Sequence, residues 1–333
     1  RTVASQVQSP HKFISISQDP YSDNLDAMTM LGGGMHAFDH GIFYHLNQGM
    51  QKTTDVNFHG HGIDYMFQGM YLLSRNLTIF GKRTSFKKSD PIGSDFVSVY
   101  LNRIGHRLKH IDFMQYVVKH RRTEMMQQLH ESIEEVTQLG DNFCNNPDDQ
   151  WEFMLIHALS RHYPFTNLTS MGTITEQRTI AFDNDVFDLY MSLPKSHRID
   201  GKIAKRTLEI LNPKLAAIPT ANTNQRPNQS AISKDAFRLI KLVHRSLRTS
   251  DKGDINPTAE ERTWPDRGRM FTTQPLLKSA AIELQKSEAI GSLGFIDMDK
   301  LATDIPIWLQ KPSDGSGALL TFLITIDRFL KTR

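Results

Sequence analysis

The chain is expected to fold as an α/β protein, with a parallel sheet on its N-terminal side and a mostly helical remainder. Two observations carry that expectation. The apolar positions Val56 and Phe58 lead into His59-Gly60-His61-Gly62 and then Ile63-Asp64-Tyr65-Met66, a buried strand that breaks into a glycine-rich loop and opens a helix. From about residue 95 onward, apolar residues recur at helical rather than alternating spacing. At 333 residues the chain has room for one large α/β domain or two modest ones, and either buries a substantial core.

The elements follow in order. Phe13, Ile14 and Ile16 within residues 12–17 form a short strand, closed by the turn Gln18-Asp19-Pro20. Gly32-Gly33-Gly34 is a break, and the segment through Phe43 and Leu46 reads as a helix before the second strand at residues 55–59. Strand, helix, strand with a ligand loop is the order of a parallel sheet. Phe96, Val99, Ile104, Phe113, Val117 and Val118 begin a helical region that runs to His162, interrupted by the polar residues 142–149. Trp151, Met154, Leu155, Ala158 and Leu159 then share one helix face. Phe182, Val186, Leu189, Tyr190 and Leu193 share the next, with Asp183 as N-cap and Pro194 as stop. Residues 212–227 read as an extended polar connection, and Ala236, Leu239, Ile240, Val243 and Leu247 as a helix. Residues 248–269 read as a mobile loop. Leu319, Phe322, Leu323, Ile326 and Leu330 make the stripe of a closing helix.

Charge and composition narrow the partners. Lys and Arg number 39 against 36 Asp and Glu, a formal +3, too little for a nucleic-acid partner unless it is concentrated in a stripe. Lys119-His120-Arg121-Arg122 reads as a solvated helix face. The one cysteine, Cys144, rules out an internal disulfide and points to a reducing, cytoplasmic setting. No apolar run approaches the roughly 20 residues that span a bilayer, and the first residues lack a signal-peptide layout, so no membrane partner is expected.

The chemistry concentrates in residues 59–69. Glycines at alternate positions let a backbone approach a ligand closely, and a helix start behind them offers N–H groups to an anion, the anatomy of a phosphate site. Asp64 stands where a carboxylate could hold magnesium against those phosphates. His59 and His61 allow a second reading as zinc ligands with Asp64, with a further ligand from His36, His40 or His45. Cys144 sits among asparagines with no base marked beside it, and no serine occupies a Gly-x-Ser-x-Gly elbow.

A family resemblance favours the phosphate reading. Residues 56–69 resemble the Ser-Gly-x-Gly-x-Asp-Glu-x-Phe-Gly-Gly-Tyr segment in the synthetase domain of the glutamine-hydrolysing asparagine synthetases, with Gly60, Gly62, Asp64, Phe67 and Gly69 at matching positions. Glu176-Gln177-Arg178-Thr179-Ile180-Ala181-Phe182-Asp183 resembles that family's Glu-x-Arg-x-Pro-Phe-Leu-Asp, followed by the same helix ending in Ser192-Leu193-Pro194. Arg1 to Ala4 and His11 to Ser17 resemble the helix and strand that follow the family's pyrophosphate loop. The chain is therefore expected to be one synthetase domain of the pyrophosphate-loop (PP-loop) type over residues 1–333. Residues 1–90 would form its nucleotide-binding part and 91–333 its helical part, with the first strand, pyrophosphate loop and upstream glutaminase domain lying before residue 1.

That resemblance implies an ATP-dependent amide-forming ligase. A small-molecule carboxylic acid is adenylated with ATP and Mg2+, and ammonia from the glutaminase domain attacks the acyl-adenylate. It implies no nucleic-acid or membrane partner, and a homodimer is an allowed assembly. It places Ile16, His59, Gly60 and Gly62 at ATP, Asp64 at magnesium, and His61, Asp183 and Glu176 in catalysis. His59 replaces the family's serine, His61 a loop carboxylate, and Asp64-Tyr65 its Asp-Glu pair. Thr220 to Asn228 offers Arg226 and no lysine where the family has an active-site lysine. The related β-lactam synthetases also replace that carboxylate and use an acid-base group there, a role His61 could fill. A second reading is a non-catalytic interaction module of the same fold.

Overall fold

A computed structural model describes residues 1–13, 19, 21–41, 44, 49–70, 72–79, 82–90, 92, 95–104, 111–157, 164–220, 225–230, 232–236 and 267–332. It is an α/β structure, mostly helical with a small parallel sheet. The strands are β1 (Val56–His59), β2 (Ser74–Ile79), β3 (Lys82–Ser89) and β4 (Glu176–Thr179). β1 pairs with β4, and β2 pairs antiparallel with β3. The chain divides into two compact units interleaved along the sequence. The first comprises residues 1–14, 58–91 and 178–263, the second residues 15–57, 92–177 and 264–333.

The second unit owes its core to helices Pro275–Glu283, Met298–Gln310 and Asp314–Lys331, which bury Leu277, Leu301, Ile305, Leu319, Leu320 and Leu323 almost completely. Helix Leu25–Leu31 adds Leu25 and Met28, and the turn Phe38–Gly41 adds Phe38. Full burial of one such side chain stabilises by about 1.5–3 kcal/mol. Two of the helices begin on side-chain caps. Asp297 accepts from Lys300 N, and Ser313 with Ser316 forms a reciprocal capping box.

Helix Asp314–Lys331 sits so close to helix Arg267–Thr273 that only glycine fits at the crossing. A Cβ on Gly317 would lie 2.4 Å from the backbone of Arg267 and Gly268, and one on Gly268 2.5 Å from the Ser313 carbonyl. This approach wraps burial around the helix, so its buried set runs through Leu319, Leu320, Leu323, Ile324 and Asp327. The expected stripe is correct for Leu319 and Leu323 only in part, since Phe322 is 44% exposed. Thr321 and Thr325 are buried without leaving donors unpaired, because each hydroxyl donates to a carbonyl one turn back, at 2.7 Å. The Phe38 amide donates in turn to Thr325 Oγ1. Beside this crossing Arg267 Nε donates to the buried Asp39 carboxylate at 2.6 Å, and burial, then the Asp39 charge, pushes the Tyr21 phenol up.

The first unit holds the β2–β3 hairpin and the short helices that follow β4. Helix Asn184–Ser192 is capped by Asp183, whose Oδ1 accepts from Asp185 N and Val186 N. Of the face expected to be buried there, Tyr190 is buried but Leu189 is 51% exposed. Amphipathic spacing fixes a face without fixing what covers it. Pro194 ends that helix, and Lys195–Arg198, Lys202–Leu211 and Pro213–Ala216 follow. The last of these, capped by Asn212, replaces the extended connection expected from residue 212. Proline at a helix N-terminus starts a turn as readily as it ends one.

Several sequence expectations take a definite outcome. Helices Phe96–Ile104, Arg122–Gly140 and Pro147–His157 occupy the region expected to be helical, and Trp151, Met154 and Leu155 are buried. β1 forms as expected but is not a buried strand, since Phe58 is 62% exposed. Its sheet partner is β4, whose polar sequence Glu-Gln-Arg-Thr carries no strand signal. Residues 267–269, read as the end of a mobile loop, begin a helix. Ile16, the expected strand around it, Ala158 and Leu159, the helix through residues 237–247 and residues 248–266 lie outside the described residues. No described helix is long and apolar enough to cross a membrane.

Two outcomes are expected from the second unit. Gly317→Ala forces backbone apart and lowers the urea-unfolding free energy by about 1–3 kcal/mol. Asp39→Ala strands Arg267 and costs about 3 kcal/mol, while the apolar pair Asp39→Leu with Arg267→Met costs less than either single change in the same denaturation series.

Candidate functional site

β1 ends at His59, and the chain then turns through Gly60, His61 and Gly62 into the single helical turn Ile63–Met66. The turn needs glycine at position 62. Its φ is +94°, and a Cβ there would lie 2.7 Å from the Ala181 side chain. Gly60 is the opposite case. Its φ is not positive, and a Cβ would meet nothing within 4 Å. The fold therefore requires Gly62 and leaves the space over Gly60 open.

Two segments about 120 residues apart meet here. Thr179, the last residue of β4, donates through Oγ1 to the His61 carbonyl at 2.5 Å. Ala181, fully buried, seats Gly62, and the Phe182 ring lies 6.2 Å from the His61 ring. The turn Ile180–Phe182 presents both, with extended backbone at Thr179 and Asp183 on either side of it.

The histidines are held by the loop itself. His61 N donates to His59 Nδ1 at 3.3 Å, so that nitrogen acts as an acceptor. Burial lowers the His59 pKa, in agreement with an unprotonated Nδ1. His61 Nδ1 lies 3.3 Å from the Tyr65 hydroxyl, and the two rings meet edge to face with centroids 5.3 Å apart. Tyr65 follows His61 by four residues, within reach across one helical turn. Tyr65, Thr179 and Phe182 are the site residues that sequence reasoning did not single out. The i, i+4 spacing was the available signal for Tyr65, whereas the other two depend on long-range contact.

Asp64 is partly buried and accepts from the Tyr65 amide at 3.1 Å through Oδ1. Burial pushes its carboxyl pKa up, partly offset by backbone hydrogen bonds. Asp183 is exposed, and its Oδ1 is engaged as the helix cap. Glu176 opens β4, its side chain exposed and its amide donating to the Asp55 carbonyl. It belongs to the second unit, as do His36 and His40, and His45 lies outside the described residues. Among the described residues no group of three or more His, Cys, Asp or Glu side chains is placed to hold a metal ion. The helix expected to offer free N–H groups is only one turn long, and its Ile63 and Met66 amides are already bound to the Gly60 and Gly62 carbonyls. A single turn carries little helix dipole to aim at an anion.

The glycine contrast makes a test of local structure. Gly62→Ala should cost about 1–3 kcal/mol in the first unit by urea denaturation, whereas Gly60→Ala should leave the midpoint unchanged. Asp64 gives a pH signature. A folded-state pKa raised above 3.8 means the burial penalty is absent below that pH and grows as pH rises through the folded value. Asp64→Asn should therefore raise the urea midpoint at pH 7 and leave it unchanged at pH 3. No family model, no curated protein and no solved structure matches this chain.

Proposed function

We propose that the chain is the synthetase part of an ATP-dependent amide-forming ligase similar to the glutamine-hydrolysing asparagine synthetases, with a PP-loop type of sheet. The observation that carries this reading is Gly60. It is a glycine that neither conformation nor packing requires, beside one that both require, in a loop with open space above it. Close approach of a bulky anion to the backbone is what such a position serves. Supporting it, the two segments on which the resemblance rests meet at the Thr179–His61 hydrogen bond and the Gly62–Ala181 contact.

On this reading an oxygen of the acceptor carboxylate attacks the α-phosphorus of ATP. The bond to pyrophosphate breaks, and ammonia or another amine then attacks the acyl carbon and releases AMP. Residues 59–62 line the phosphates. Asp64 would hold magnesium. One carboxylate suffices, because magnesium keeps waters and substrate phosphates as its other ligands. Bound there, the ion would offset charge developing on phosphate oxygens. A cation also relieves the burial penalty on the Asp64 carboxylate. His61, oriented by Tyr65, takes the proton from the attacking amine, work suited to an imidazole near neutral pH. Asp183 acts by fixing the start of helix Asn184–Ser192, which keeps Phe182 against His61.

The test is pyrophosphate–ATP exchange by the full-length protein, given magnesium and a panel of small carboxylic acids. Exchange should appear with at least one acid and fall by about a hundredfold or more in Asp64→Asn. Gly60→Val should lose exchange while keeping the wild-type urea midpoint. No exchange with any acid, or full exchange in Asp64→Asn, overturns the proposal.

A further inference from the structure

The expectation of no membrane partner rests on the lack of a spanning run, and a helix that lies along a membrane surface needs none. One helix of the first unit has that character. Lys202–Leu211 is 10 residues long, about half of the roughly 20 that span a bilayer. At i, i+4 spacing its sequence sets two rows side by side: Lys202, Arg206 and Ile210, then Ile203, Thr207 and Leu211. All of these except Ile203 are exposed, Ile210 at 67% and Leu211 at 77%. The rows behind them, Ala204 with Leu208 and Lys205 with Glu209, are half-buried. The helix thus turns two cations and two large apolar side chains outward together.

Positive charge and apolar exposure both continue beyond the helix. Residues 195–214 carry six basic and two acidic side chains, a surplus of four against +3 for the whole chain. Both acids are already engaged: Asp200 accepts from Lys205 at 2.7 Å, and Glu209 pairs with Arg206 at 3.2 Å. Lys202 and Lys214 are exposed and have no ion-pair partner among the described residues. Helix Thr2–Gln6 packs against helix Pro213–Ala216 and leaves Val3 and the following Val7 half exposed.

We infer that the outward face of helix Lys202–Leu211 lies on an anionic lipid surface, with Ile210 and Leu211 at the acyl boundary and Lys202 and Arg206 among the headgroups. Long basic side chains lay their stems over apolar surface while the charge stays in the wet layer. An anionic bilayer gives each kind of side chain what it lacks, counter-charge for the cations and hydrocarbon for the isoleucine and leucine. Other occupants fit this face less well. Aliphatic side chains offer a polynucleotide no ring on which a base can stack, and a second copy would bring the same cations face to face. The inference is independent of the ATP reading.

Co-sedimentation of the chain with lipid vesicles tests it. The chain should pellet with mixed phosphatidylserine–phosphatidylcholine vesicles and stay in solution with phosphatidylcholine alone, and binding should weaken as salt rises. Ile210→Ser combined with Leu211→Ser should weaken binding about tenfold, and Lys202→Glu by about as much, with circular dichroism and urea midpoint unchanged. Lys278→Glu, at an exposed position of a helix in the second unit, should change nothing. No binding to the charged vesicles, equal binding to both kinds, or binding that survives the paired Ile210 and Leu211 changes overturns the inference. A dimer in sedimentation velocity that the same paired changes dissolve also overturns it, in favour of a second copy on this face.

Discussion

The packing of Gly62 against the Ala181 methyl group is the constraint on which the rest of the site depends. With Gly62 at a φ of +94° and its α-carbon pressed on a fully buried methyl group, the loop after β1 has one place to go. The Thr179 hydroxyl then fixes the His61 carbonyl, which sets where the imidazole can lie. Tyr65 and Phe182 close around that ring from two different segments. Little energy is spent on any one of these contacts. Their effect is geometric: the chain before Asp183 and the chain after His59 cannot shift independently.

What could be read from the residues follows from the range of the forces involved. Local signals were legible. The strand and turn at residues 56–62, the Asp183 cap, the stop at Pro194 and the helices between residues 96 and 157 are all encoded within a few positions of where they occur. Long-range packing was not. β4 reads Glu-Gln-Arg-Thr and becomes a strand because β1 lies beside it, a pairing that no local preference announces. The β2–β3 hairpin went unread although its strands flank Gly81, since charged side chains alternate with apolar ones too unevenly to mark a buried face. Leu189 and Phe322 show the converse: spacing placed them on an apolar stripe, and packing left them exposed.

The second unit shows how a helical core tolerates many polar groups. Thr321 and Thr325 satisfy their own hydroxyls within the helix. Ser287 donates to the buried Asp327 carboxylate, which Lys331 reaches from one turn along the same helix. Asp39 has Arg267. Thr321, Thr325 and Ser287 are thus matched where they are buried, whereas Asp39 is matched through Oδ2 alone and its Oδ1 is buried without a hydrogen-bond partner. The close glycine crossing at Gly268 and Gly317 in turn lets the unit bury Leu319, Leu320 and Leu323 at once, which a helix bearing side chains at those glycines could not do.

On the adenylation reading, the substitutions at the loop change its electrostatics in one direction. Where the resembling family places a serine, a carboxylate and an Asp-Glu pair, this chain has His59, His61 and Asp64-Tyr65, so one carboxylate remains. Each acid removed lessens repulsion of the phosphates and of an anionic acceptor, and each also removes a ligand that could recruit a cation. Cation recruitment then falls to Asp64 alone. His59, its pKa lowered and its Nδ1 used as an acceptor, stays neutral and adds no compensating positive charge. The loop so built should accept a more negatively charged acid than a carboxylate-rich loop would, with His61 supplying by proton transfer what the missing carboxylate supplied by charge.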